Sequence, residues 1–157
     1  MATLYLMVGL PCSGKTTRAK ELEGALHAVR LTPDEWQVSL FGQDAHDPEH
    51  DKRHGLIEAH LWKIAARSLK LGTNIILDFG FWAKEEREDF RIRAQTLGAR
   101  SEIVYMDVGD DELLRRLRER NVRLTDTTFY IAEESMGSWI QIFQKPDADE
   151  LMAREVV

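Results

Sequence analysis

Along the chain, short unbroken apolar runs alternate with longer stretches in which apolar residues recur every three or four positions. Thr3 to Leu10 (TLYLMVGL), Asn74 to Leu77 (NIIL) and Glu102 to Val108 (EIVYMDV) are near-continuous apolar segments of strand length, the pattern of parallel strands covered on both faces. Ala28 to Leu31 reads as a weaker strand. Helical spacing occupies Lys15 to His27, Glu49 to Leu71, Lys84 to Leu97 and Asp110 to Asn121, and a fifth helix spans Tyr130 to Phe143. Strands alternating with helices in this way predict an α/β fold on a parallel sheet. Gly72 and Gly98 each follow a helix and precede a strand, where a left-handed helix cap is wanted. The tail after Pro146 has only a weak edge-strand pattern. No repeat or flexible linker divides the sequence, so residues 1–157 are expected to form one domain.

Composition narrows the class. The chain has 157 residues, 43% hydrophobic and 31% charged, which describes an ordered globule rather than a disordered chain. The first apolar run is only about eight residues long with no basic stretch before it, and no segment reaches the ~18 apolar residues of a membrane span. Secretion and membrane insertion are therefore not expected. Cys12 is the single cysteine; it cannot form an internal disulfide, which suits a reducing, cytoplasmic compartment. A formal net charge of -6 makes a long nucleic acid a poor expected partner, although a local basic patch could hold a short one.

The strongest chemical signal lies between the first strand and the first helix. Gly9-Leu-Pro-Cys-Ser-Gly14-Lys15-Thr16 matches the spacing Gly-x4-Gly-Lys-Ser/Thr, in the strand-to-helix context that the mechanism requires. Glycines let backbone N–H groups converge on phosphate oxygens, helix polarity favours the anion, Lys15 is expected to reach the β- and γ-phosphates, and Thr16 is expected to hold Mg²⁺. Gly9, Pro11, Cys12, Ser13, Gly14, Lys15, Thr16 and Thr17 thus form a candidate triphosphate cradle. Cys12 is read as filling a permissive loop position; the rival reading is a nucleophile or redox switch.

Further motifs carry a family resemblance. With GLPCSGKTT they are Thr32-Pro-Asp34-Glu-Trp36 after the second strand, IILD ending at Asp78, Leu-Arg-Arg-Leu-Arg-Glu-Arg-Asn at 114 to 121, and Phe143-Gln-Lys-Pro146. Together the sequence resembles the small P-loop kinases of the group containing zeta toxins, the 5′-kinase domain of polynucleotide kinases and chloramphenicol phosphotransferase. The resemblance implies a P-loop NTP hydrolase fold of the kinase type. That fold is a three-layer sandwich with sheet order 2-3-1-4-5 and a mobile helical lid, expected near residues 114–128. It also implies ATP and Mg²⁺ as cofactors and transfer of the γ-phosphoryl group to a hydroxyl. Two departures stand out: Cys12 occupies a position where relatives more often carry glycine, and Phe79-Gly-Phe81-Trp82 follows Asp78 where many carry small polar residues.

Roles follow for the remaining candidates. Asp34 falls at the carboxyl edge of the sheet, where α/β folds bind ligands, and the resemblance gives it the orientation and deprotonation of the attacking hydroxyl. Thr32-Pro33-Asp34-Glu35 also reads as a helix start, with a cap, a first-turn proline and first-turn acids. Asp78 and Asp107 both end strands; the implied sheet order puts Asp78 nearer the cradle, as support for metal or acceptor. In the arginine-rich segment, Leu113, Leu114 and Leu117 make an apolar stripe that Arg116, Arg120 and Arg123 flank, while Arg115 and Arg118 point elsewhere. Arg116 and Arg120 are expected to close over the transferring group, and Arg123 to contact substrate. Trp36 and Trp82, with Phe79 and Phe81, are candidate aromatic walls for the acceptor, and Arg53 and His54 are candidate acceptor contacts. His46, His50 and His54 recur every four residues and invite a zinc reading, which Pro48 interrupts. The expected acceptor is a small molecule. The alternatives are a polynucleotide 5′ end and a nucleotide-binding regulatory module without efficient transfer, and guanine remains open as the base.

Overall fold

The computed structural model describes residues 1–42, 46–125 and 130–157. Strands β1 (Thr3–Val8), β2 (Ala28–Leu31), β3 (Asn74–Gly80) and β4 (Arg100–Tyr105) alternate with helices. These are α1 (Lys15–Leu26), α2 (Pro33–Phe41), α3 (His50–Lys70), α4 (Lys84–Thr96), α5 (Asp110–Val122) and α6 (Glu133–Ile142). The strands pair in parallel in the order β2-β3-β1-β4. In β1 the alternation of a strand is fully used, because both faces are covered. Leu4, Leu6 and Val8 join Ile75 and Leu77 of β3 under Ile57, Leu61 and Ala65 of α3 and Phe90 and Ala94 of α4. Tyr5 and Met7 turn the other way, onto Ile76, Ala28 and Ala19 of α1. The result is the expected three-layer α/β sandwich. A third cluster, Leu117, Ile131 and Met136 with Cys12 and Trp139 packed against it, fastens α5 and α6 to the loop after β1.

The differences from the sequence expectation have local causes. The described residues form no fifth strand: the tail meets β4 through a single antiparallel bridge between Ser101 and Arg154. Arg91 explains this, since its guanidinium is buried and takes the carbonyls of Glu150 and Met152 at 2.6 and 2.7 Å, so a side chain satisfies groups that a strand ladder would otherwise pair. Helix α6 begins three residues later than its pattern suggests because Ile131 is drawn into the third cluster and its carbonyl accepts from Asn121 Nδ2 at 2.7 Å. Helix α2 starts at Pro33 with Asp34 and Glu35 in its first turn, as the helix-start reading requires. The Thr32 hydroxyl makes no cap bond there and is used elsewhere. Gly72 and Gly98 adopt left-handed conformations at φ 84° and 71°. No helix among the described residues is long and apolar enough to cross a membrane.

Candidate functional site

Between β1 and α1 the backbone turns left-handed at Cys12 (φ 69°) and again at Gly14 (φ 87°). The cysteine thus occupies a conformation that glycine adopts without penalty, and its Cβ costs about 1–2 kcal/mol there. Gly9 is needed for a different reason: a Cβ on it would lie 2.5 Å from the Ser13 hydroxyl. Its N–H donates to the Gly80 carbonyl at 3.0 Å, tying the loop to the end of β3. Gly9 and the buried Ser13 lie beneath the loop surface. Pro11, Cys12, Gly14, Lys15, Thr16 and Thr17 line a cavity of about 590 Å³.

Asp78 forms the floor of this cavity and is only 3% exposed. Its Oδ2 accepts from the Thr16 hydroxyl at 2.6 Å and from the Thr32 hydroxyl at 3.0 Å. Its Oδ1 has no hydrogen-bond partner among the described residues and lies 3.5 Å from Lys15 Nζ. Arg30 supports the arrangement from β2, donating to Thr32 Oγ1 and pairing with Glu35 and Glu23. Threonine hydroxyl, buried carboxylate and ammonium therefore meet at the first turn of α1. Asp107, the other strand-end acid, is exposed and accepts from its neighbour Tyr105. The donor set of one hydroxyl and one carboxylate suits Mg²⁺, which prefers hard oxygens and takes its remaining ligands from water and phosphate. Among the described residues no three His, Cys, Asp or Glu side chains converge on a metal position. The zinc reading therefore fails: His50 and His54 stack on each other at 5.7 Å instead of converging on an ion.

Asp34, Glu35, Asp51 and His54 line the cavity from α2 and α3, and Phe79, Trp82 and Trp139 supply aromatic surface. Trp82 packs against Trp139 at 5.5 Å, and its carbonyl accepts from the Gln144 N–H at 2.9 Å. The other aromatic expectations need correction. Trp36 is 43% exposed and is not in the cavity wall, because its helix presents Pro33 and Gln37 inward instead. Phe81 is a core residue, stacked on Phe79 and edge-on to Phe90. Arg53 lies outside the wall as well, with its guanidinium 4.4 Å from the Phe41 ring centre.

On α5 the arginines divide as their helical positions require. Arg116 donates to the Cys12 carbonyl at 3.3 Å and pairs with Glu112, while Arg120 lies 3.7 Å from Cys12 Sγ and lines the cavity. Arg115 pairs with Glu112 and Glu119, and Arg118 with Glu133, on the exposed side. Arg123, at the end of the helix, is exposed and outside the cavity wall. Of the expected lid, residues 126–128 lie outside the described residues.

Sequence reasoning missed Glu58, Trp139 and Lys20. Glu58 was the findable one, since it stands one helical turn from His54 and accepts from His54 Nε2 at 2.8 Å. His54 Nδ1 faces Asp34 Oδ1 at 3.7 Å. Burial opposes charge on the His54 ring, but the bond to Glu58 and the nearby carboxylates outweigh it and hold its pKa above the usual histidine value. His50 moves the other way, through burial and the neighbouring His54.

The sequence model of a family described as an AAA domain matches residues 4–146. Among curated proteins no sequence matches the chain. Solved structures with a similar fold include a chain of the Pnkp1/Rnl/Hen1 RNA repair complex, at TM-score 0.73 and 22% identity over 90% of this chain. The present chain spans 43% of that larger one. Kti12 from Chaetomium thermophilum, solved with ADP-AlF3, aligns at TM-score 0.70 and 22% identity, covering 92% of this chain and 81% of its own. A gluconokinase from Sinorhizobium meliloti 1021 aligns at TM-score 0.60 and 14% identity, covering 99% and 79%. The fold is that of the small P-loop kinases.

Proposed function

The chain belongs to the AAA domain family, and on that premise we propose that it is an ATP-dependent kinase that phosphorylates a hydroxyl on a small molecule. One observation carries the reading: Lys15, Thr16 and Asp78 are locked together at the base of the same cavity into which Asp34 faces. The loop from Gly9 to Thr17 cradles the triphosphate, with Lys15 on the β- and γ-phosphates. Thr16 and Asp78 would hold Mg²⁺, which when bound supplies charge neutralisation on the phosphates. Asp34 orients the acceptor hydroxyl and takes its proton as the new O–P bond forms. Arg120, and Arg116 through its reach over Cys12, offset the charge that builds on the transferring group.

Asp34, Glu35 and Asp51 on the acceptor side disfavour a polyanion and support a small molecule over a polynucleotide end. Trp82 and Trp139, tilted to one another by 46°, offer apolar aromatic surface to such an acceptor. A cytoplasmic place of action agrees with the lone cysteine.

The reading is tested by an ATP-consumption screen across hydroxyl-bearing metabolites and antibiotics, with Lys15→Ala as control and mass spectrometry for the phosphorylated product. Asp34→Asn is expected to keep ATP affinity and lose product formation by about 10²–10⁴-fold. ATP binding with no acceptor-dependent turnover in any arm would favour a nucleotide-binding regulatory module instead.

A further inference from the structure

Behind Asp34 stands a second carboxylate and, between the two, an imidazole. His54 Nε2 is 2.8 Å from Glu58 Oε1, one turn along α3, and Nδ1 is 3.7 Å from Asp34 Oδ1 on α2. The bond to Glu58 places a proton on Nε2, because a carboxylate only accepts. Nδ1 is then left facing Asp34. It is buried, with no hydrogen-bond partner among the described residues. A bare Nδ1 would set its lone pair against the Asp34 carboxylate, whereas a protonated Nδ1 turns the same contact into an ion pair. The surroundings favour the protonated ring. Asp34 from α2, and Glu58 from α3, supply negative charge, while Lys15 from α1 opposes it; His50, stacked on the ring from the same helix, has its own pKa lowered by burial and by His54. Glu86 on α4 is itself pushed up to about 7 by burial and by Glu58, and once ionised it adds a further negative charge near the ring.

We propose that His54 is a positioning residue for phosphoryl transfer. As an imidazolium braced by Glu58, it holds the Asp34 carboxylate in place through Nδ1–H, oriented to receive the proton of the acceptor hydroxyl. The inference rests on the kinase reading above. In the step it serves, the acceptor O–H bond breaks and its oxygen bonds to the γ-phosphorus. The bond from that phosphorus to the bridging oxygen breaks, ADP leaves with the electron pair, and the proton goes to Asp34. His54 keeps both of its protons throughout. Its contribution is therefore present at low pH and lost as pH rises through the titration of the ring.

The test uses the full chain labelled with ¹⁵N-histidine, together with steady-state hydrolysis of Mg-ATP, in which water is the phosphoryl acceptor. The His54 ring, assigned with His54→Gln, is expected to carry protons on both nitrogens at pH 6. Its titration midpoint should fall by about one pH unit in Asp34→Asn and in Glu58→Gln. In hydrolysis, His54→Gln should lower kcat by roughly 10–100-fold with the KM for ATP unchanged, the cost of a misplaced reacting group. It should also abolish the alkaline decline of the wild-type rate. Asp34→Asn leaving the His54 midpoint unmoved, or His54→Gln keeping the alkaline decline, would overturn the inference alone. ATP binding with no acceptor-dependent turnover in the screen above would instead overturn the transfer reading, and the inference with it.

Discussion

Two glycines of the cradle are required for different physical reasons, and their alanine variants separate those reasons. At Gly14 the backbone is left-handed, while the space around a new Cβ is open, its nearest neighbours being Met106 and Arg116 atoms at 3.7 and 3.8 Å. Gly14→Ala should therefore lose about 1–2 kcal/mol from backbone conformation alone. At Gly9 the left-handed conformation does not arise, but the added carbon would meet the buried Ser13 at 2.5 Å. Gly9→Ala should lose about 1–3 kcal/mol by overpacking, and it should distort the loop, so nucleotide affinity falls with stability. Urea unfolding and ATP titration of both variants check this. Equal losses relieved in Gly9→Ala by also changing Ser13 to Ala, and not relieved in Gly14→Ala, would confirm that one site is crowded and the other is strained. Cys12 shows that the strain is bearable: it sits at φ 69° with its side chain packed against the third core cluster and beside Arg120. Packing offsets the conformational cost that glycine would have avoided.

At the scale of elements, helix α5 decides whether the arginines are machinery or solvated charge. Arg115 and Arg118 are spent on Glu112, Glu119 and Glu133, whereas Arg116 and Arg120 reach Cys12. Exposed ion pairs contribute little. Arg115→Ala and Arg118→Ala should thus leave turnover within about twofold and stability within about 0.5 kcal/mol, while Arg120→Ala should lower turnover by ~10³-fold. Kinetics of the three variants with whichever acceptor the screen identifies would decide it, and similar losses in all three would assign the helix to stability. The same helix shows what a sequence discloses. The split between inward and outward arginines was legible because 3.6-residue periodicity fixes which side chains share a face. The cradle and Asp78 were legible because each sits at a strand end, in a context local to the chain. Trp36 and Phe81 misled because a strand end gives the position of an aromatic and not its direction. Helix α2 turns Trp36 outward, and the left-handed Phe81 (φ 44°) turns its own ring into the core. Glu58 escaped because its partnership with Asp34 runs through His54 across two helices.

Across the whole molecule, the tail acts through two buried arginines to shape the cavity wall. Arg87 is fully buried on α4 and pairs with Glu150 through Nε and Nη2 at 2.8 and 3.2 Å. Its Nη1 donates to the Phe81 carbonyl at 2.9 Å and to that of Trp82 at 3.3 Å. One guanidinium thus joins the tail, the end of β3 and the strained turn that carries Trp82 to the cavity. Arg91 adds the carbonyls of Glu150 and Met152, so the last turns of chain are held by side chains where a strand might have formed. A buried charge left without its partner is costly, while exchanging the whole pair for apolar groups need not be. Glu150→Leu should therefore lose about 3–5 kcal/mol by stranding Arg87, and Arg87→Met combined with Glu150→Leu should recover much of that loss. The double variant still lacks the donor to Phe81 and Trp82, which separates stability from site geometry. In urea unfolding it should approach the wild type, while acceptor KM stays raised because Trp82 is no longer held. Wild-type acceptor KM in the double variant would show that the Gln144 and Trp139 contacts suffice to position Trp82, and that the buried pair serves the fold only.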